Sequence, residues 1–476
     1  MHQHYAQITS DSITRIRRSA SALQNDGTQN QLASTELQQV SVMVNSLDPH
    51  SLHSSSPNLS ESNLYSDSWS NCVQPLSVLA SQHHQAIPQN RCVPALWLDL
   101  ALNLLVEGDF QTRWDVAKLL PRFGPNAIAP LIEILQDEES DWELLWFTVR
   151  LLGEFNHAAV IPVLINLLSS EDELSAAAAE ALANLGNQAI PALTDLLPLP
   201  EFRLLAVRSL SQIRHSETIV PLLSVVTDPQ PAIRAAAIEA LSSFHDPRIF
   251  PVLAKALQDP AALVRQEAVT GLGMRTVQTV VNLVDLLAPY LTDLNLAVCR
   301  QAAIALGRLG NAGAIQALTN TLRSPHTPLV LQIEIVRSLS WTLTADVLRR
   351  FRDIMPHASA EVCSEIITAL GKVEEPALRP QSAKILIDLL KAESSVQSAQ
   401  RKQSIALGLG RLGAIEALEP LICLLSDSDL RVQLHAIAAL KQLDADAAHK
   451  RLKMLAEDQN LSKALQQGVA IALAEW

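Results

Sequence analysis

The residues best suited to chemistry in this 476-residue chain, its histidines and cysteines, are spaced against it. None of the 13 histidines is followed by glutamate, so paired His-Glu iron ligands on successive helices are missing. His83 and His84 stand side by side without a second pair at helical spacing. His157, His215, His245, His326 and His357 fall at expected inter-helix turns, where a solvated imidazole is the plain expectation, and His435 falls inside a helix. The five cysteines (Cys72, Cys92, Cys299, Cys363 and Cys423) are odd in number, far apart and without a Cys-x-x-Cys pair. That usage predicts neither a disulfide framework nor a thiolate zinc site. Cys299, Cys363 and Cys423 lie among aliphatic residues of helical segments, which predicts buried, inert thiols. No phosphate-binding glycine loop, nucleophile elbow or dinucleotide fingerprint occurs, and the glycines of LGLGRLG (407–413) close a helix with no strand before it. The sequence names no catalytic residue, no metal ligand and no cofactor.

Charge narrows the classes further. Acidic residues outnumber basic ones by 49 to 36, for a net charge of −13, whereas a phosphate-backbone binder needs a concentrated basic surface. The patch Arg349, Arg350 and Arg352 is too short for nucleic acid and reads as one solvated helix face. Apolar runs reach about 8 residues, well under the roughly 20 that cross a bilayer, and no apolar signal-peptide core follows the early charges. A soluble, acidic protein of a reducing, cytoplasmic compartment is expected.

Tryptophan carries more information. Trp97, Trp114, Trp142 and Trp146 crowd into about 50 residues, and the last two, four apart, share a helix face. Exposed tryptophans are typical anchors of protein interfaces, but bulky rings can also close the end of a core. The spacing leaves both roles open.

The elements that must position these rings follow from a repeat. An apolar residue, a proline and an aliphatic helix recur at Pro130, Pro162, Pro191, Pro221 and Pro251, at intervals of 32, 29, 30 and 30 residues. The pattern continues without the proline, returning at Pro420. A second, small-residue helix follows each anchor and closes near Gly186, Gly273, Gly310, Gly371 or Gly413, where a left-handed C-cap is expected. Proline is harmless in a first helical turn, where its missing N–H has no partner to lose. Residues 93–476 hold about twelve such units at a period of roughly 31 residues. A single helix pair cannot hide its own apolar face, so the units must stack into an all-α solenoid of antiparallel helix pairs. Residues 1–92, rich in Ser and Gln, are too polar to offset chain entropy and predict a largely disordered tail. Inside it, Ile13, Ile16, Ala20 and Leu23 make a short helical pattern interleaved with Arg15, Arg17 and Arg18. That segment has the composition of an organellar transit peptide or of a tail that docks on a partner. A second pattern, Leu37, Val40, Val44 and Leu47, follows a capping box at Thr35 and Gln38.

The units DPQPAIRAAAIEAL (228–241) and DPAALVRQEAVTGLG (259–273) resemble the HEAT-like repeat of the phycobilisome (PBS) lyase type, found in subunits that attach bilins to phycobiliproteins and in unrelated scaffolds. The resemblance spans about 80% of the chain, all but the tail. It implies an Asp–Arg ladder between neighbouring repeats, carried here by Asp228 with Arg234, Asp259 with Arg265, and Asp293 with Arg300. Cys363 and Gln433 stand where later arginines would fall, so the ladder is expected to fail toward the C-terminus. The function implied is a non-catalytic protein-binding scaffold or assembly factor, with protein partners such as phycobiliproteins or a second HEAT-like subunit. The alternative is enzymatic: a phycobilin lyase or lyase-isomerase holding a phycocyanobilin-type bilin near an acceptor cysteine by proximity.

Overall fold

The computed structural model describes residues 92–170, 172–275, 282–392, 398–458 and 460–476. Residues 1–91, which hold both tail patterns, Cys72, His83 and His84, lie outside the described residues. Every regular element among the described residues is helical. The chain divides into two compact units, one running to Thr227 and the other from Asp228 onward.

The first unit contains α1 (Cys92–Glu107), α2 (Phe110–Ala117), α3 (Ile128–Gln136), α4 (Trp142–Glu154), α5 (Ile161–Leu167), α6 (Asp172–Asn184), α7 (Ile190–Leu196), α8 (Pro200–Gln212) and α9 (Ile219–Ser224). The second contains α10 (Pro231–Ser242), α11 (Ile249–Ala256), α12 (Ala262–Gly273), α13 (Leu283–Leu287), α14 (Leu296–Leu309), α15 (Ala312–Arg323), α16 (Leu329–Ser340), α17 (Ala345–Ile354) and α18 (Ala360–Leu370). It continues through α19 (Arg379–Ala392), α20 (Ala399–Leu412), α21 (Leu418–Cys423), α22 (Leu430–Ala456) and α23 (Lys463–Ala474). The five anchor prolines all sit in the first turn of α3, α5, α7, α9 and α11, several entered through a 3-10 turn. Within α22 the backbone turns extended at Asp444, whose carboxylate caps the Ala447 N–H at 2.9 Å. The kink splits α22 into the second helix of one repeat and the first helix of the next.

In the first unit the second helices pack successively, α4 on α6 and α6 on α8, and within the second unit α10, α12, α14, α16, α18, α20 and α22 do the same in order. Their interior is aliphatic, with Leu152, Leu182, Leu210, Leu241, Val269, Leu306, Leu339, Ile367 and Leu409 at most 1% exposed. Burying each such side chain stabilises the fold by about 1.5–3 kcal/mol. Small residues set the spacing. A Cβ added to Gly371 would lie 2.6 Å from the Gly408 Cα, and one added to Gly410 would lie 2.8 Å from the Ala439 Cα.

The expected left-handed caps divide accordingly. Gly186, Gly310 and Gly413 have φ of 60°, 56° and 64°. Gly273 ends α12 and Gly371 follows α18 without positive φ. Their glycine is needed for space, against Ala305 in one case and Gly408 in the other.

Candidate protein interface

The first two helix pairs gather the aromatic residues, and a buried arginine fixes how. Arg113, 7% exposed, projects from α2. Its Nε donates to the Leu105 carbonyl at 3.1 Å and its Nη2 to the Val106 carbonyl at 2.9 Å, satisfying the end of α1. The same guanidinium donates to both Asp141 carboxylate oxygens, at 2.9 and 2.7 Å, and to Glu143 at 3.0 Å. Asp141 is also the N-cap of α4, accepting from the Leu144 N–H at 2.8 Å. One side chain therefore ties the end of α1 to the start of α4. The hydrogen bond from Arg113 holds the Asp141 carboxyl below its ordinary range.

Trp142 is the first residue of α4 and is 48% exposed. Trp114 on α2 is 43% exposed, stacks on Phe110 with centroids 6.2 Å apart, and lies 5.3 Å from the Lys118 ammonium. Phe110 is itself 53% exposed, and Val106, near the end of α1 four residues earlier, is also exposed. Buried Phe147 underlies the group, meeting Phe110 at 5.4 Å, Trp114 at 6.3 Å and Trp146 at 5.2 Å. Trp146 is half-buried, edge-on to Phe147, with the Arg150 guanidinium 4.9 Å from its ring. The four predicted tryptophans are thus not equivalent. Trp114 and Trp142 offer free ring surface, Trp146 is partly built into the packing, and the Trp97 side chain lies outside the described residues. Phe110 and Arg113 escaped the sequence reading, although Arg113 precedes Asp141 by the same 28 residues that separate Arg265 from Asp293.

The ladder residues join successive repeats with a fixed geometry. Arg234 donates to both oxygens of Asp259 at 2.8 and 2.6 Å, and to its own turn at the Asp228 and Pro229 carbonyls, at 2.8 and 3.0 Å. Arg265 repeats this on Asp293 at 2.8 and 2.7 Å, with the Asp259 carbonyl at 2.9 Å. Each turn aspartate also accepts the N–H two residues on, at Gln230, Ala261 and Asn295. The Arg265 hydrogen bond lowers the Asp293 pKa. At Asp259 burial pushes the other way, and the bonds from Arg234 and the Ala261 N–H outweigh it to leave the pKa lowered.

The third expected pair does not form. Six residues past Asp293 stands Cys299, whose thiol donates to the Asp293 carbonyl at 3.1 Å, while Arg300 turns to Glu334 at 2.9 Å. The six-residue offset that places Arg234 and Arg265 puts Arg300 one step, about 100° of helix, out of line. The Cys363 thiol likewise faces the Met355 carbonyl at 3.2 Å. Farther on, Lys402 reaches Asp427 at 2.6 Å and Gln433 donates to the Asp427 carbonyl at 2.7 Å, so the inter-repeat rung is re-formed rather than lost. Burial raises the Cys299 pKa and Cys423 is exposed. No group of metal-ligating side chains occurs among the described residues, and no described helix is long and apolar enough to cross a membrane.

Residues 128–201, 198–273 and 250–335 match the family model of HEAT repeats. No curated protein matches the chain. Similar solved structures include an engineered protein at 22% identity, covering 73% of this chain and 98% of that one with a TM-score of 0.29. Human deoxyhypusine hydroxylase in complex with glycerol is 21% identical over 54% of this chain and 99% of its own, with a TM-score of 0.24. A chain from the structure of Kap95p binding to RanGDP is 12% identical over 92% of this chain and 66% of its own, with a TM-score of 0.49.

Proposed function

We propose that the protein is a non-catalytic binding scaffold or assembly factor, and that the aromatic surface of the first two helix pairs is where a protein partner is first held. The observation that carries this is the exposed set Phe110, Trp114 and Trp142 on α2 and α4, two helices that Arg113 ties to α1 beside the residues that match HEAT repeats. Rigid, half-exposed rings lose little entropy on binding and supply most of the energy of many interfaces. The reading takes residues 93–476 as about twelve repeats and residues 1–92 as an appended tail. It sets the protein in the cytoplasm, in keeping with Cys299, Cys363 and Cys423 as free thiols.

Affinity capture from the native organism with the full chain tests it. Trp114→Ala/Trp142→Ala is expected to lose captured partners while its melting temperature stays within about 3 °C of the parent. Unchanged capture together with a lowered melting temperature would assign the rings to the core.

The finer reading places the partner among phycobiliproteins and rests on the resemblance of residues 228–241 and 259–273 to PBS-lyase repeats. Its enzymatic form is bilin attachment to phycobiliprotein cysteines. Mixing the chain with phycocyanobilin and an apo-phycobiliprotein is expected to give no faster attachment, and a covalent fluorescent product formed only with the chain present would establish the lyase instead.

A further inference from the structure

We propose that the aromatic surface is covered in the free protein by residues 13–23 of the same chain, docked as a basic amphipathic helix that a partner must displace. This rests on the reading of that surface as a binding site and names its resting occupant.

Two observations select the occupant. The first is charge. Residues 92–154 hold eleven acidic and four basic residues, so this short stretch supplies −7 of the −11 carried by residues 93–476. Next to the exposed tryptophans in sequence stand Asp115, Asp141 and Glu143, each with a third or more of its side chain in solvent. Arg113, which bonds Asp141 and Glu143, is itself buried, and Lys118 pairs with Asp115 at 3.1 Å, so the three carboxylates and two cations keep a net charge of −1. An apolar patch with an acidic border calls for a ligand that is apolar on one side and cationic on the other. Residues 1–92 contain four cations, and three of them are Arg15, Arg17 and Arg18, interleaved with Ile13, Ile16, Ala20 and Leu23 at helical spacing.

The second is where the chain enters. α1 begins at Cys92 and ends one turn before Phe110, so the tail joins the fold at the helix whose end borders the patch. Sixty-eight residues separate Leu23 from Cys92. A random coil of that many residues has a root-mean-square span of about 45 Å, a length that reaches α2 and α4. The tether gives an effective concentration on the order of a millimolar, so even a weak helix-in-groove contact is populated.

Hydrogen exchange on the purified full-length chain, compared with an Arg15→Glu/Arg17→Glu/Arg18→Glu variant, tests the proposal. In the parent, peptides covering 13–23, 106–118 and 142–150 should exchange at least about fivefold more slowly than in the variant, with other helices unchanged. Equal exchange in the two proteins overturns it. Protection that vanishes on tenfold dilution also overturns it, by showing that a second copy is the occupant. No partner is present in this measurement, so its failure leaves the binding role standing, whereas unchanged capture by Trp114→Ala/Trp142→Ala removes that role whatever the exchange shows.

Discussion

Arg113, Arg234 and Arg265 do the same work at different repeats. Each guanidinium takes carbonyls from the turn behind it and both oxygens of an aspartate in the turn ahead. The Arg265–Asp293 pair is 14% and 8% exposed, so Arg265→Ala strands a largely buried carboxylate. A loss of about 3 kcal/mol, read from urea unfolding, is expected. Arg300→Ala should also be costly although that side chain is half in solvent, because its partner Glu334, 11% exposed, is left without its arginine. The same pairs set the acid response. Asp141, Asp259 and Asp293 all have pKa values lowered from an ordinary 3.8. A depressed carboxylate contributes its full stability above the unfolded value and loses it as pH falls through the folded one. Melting temperature should therefore hold from pH 7 to about 4.5 and drop steeply below pH 4, and Asp293→Asn should flatten that drop.

At the scale of the helix, spacing between second helices is decided by whether a side chain can fit. Gly371 and Gly408 face each other across α18 and α20 with no room for a Cβ. Gly371→Val is expected to lower stability by about 2 kcal/mol through overpacking, measured by thermal melting. Gly413 is different in kind, because its φ of 64° is the left-handed conformation that closes α20. With nothing within 4 Å of an added Cβ, Gly413→Ala should cost about 1 kcal/mol, as strain rather than as displacement. The sequence marked both glycines by their place at helix ends. It could not tell a cap from a contact, because that difference lies in the neighbouring repeat.

For the molecule as a whole, each helix pair is stable only beside its neighbours, so damage should spread locally. Ile366 on α18 is fully buried, and Ile366→Pro is expected to abolish exchange protection in α16, α18 and α20 while α10 and α12 keep theirs. A simultaneous loss across all of these helices would mean that the second unit has one cooperative core.

The repeat itself, its two helices and their approximate bounds were legible from residues 93–476, because a period of about 31 and first-turn prolines are local features of the chain. The six-residue offset from a turn aspartate also marked Arg234 and Arg265, but it paired each with its own turn, whereas the carboxylate each one holds is Asp259 or Asp293 of the next repeat. Tertiary structure alone decided the rest. It turned Cys299 inward where Arg300 had been expected, since one residue of helix rotates a side chain by about 100°. It brought Arg113 from α2 onto the end of α1 and the start of α4, and left Trp142 exposed while covering much of Trp146, outcomes set by helices that meet only in the fold.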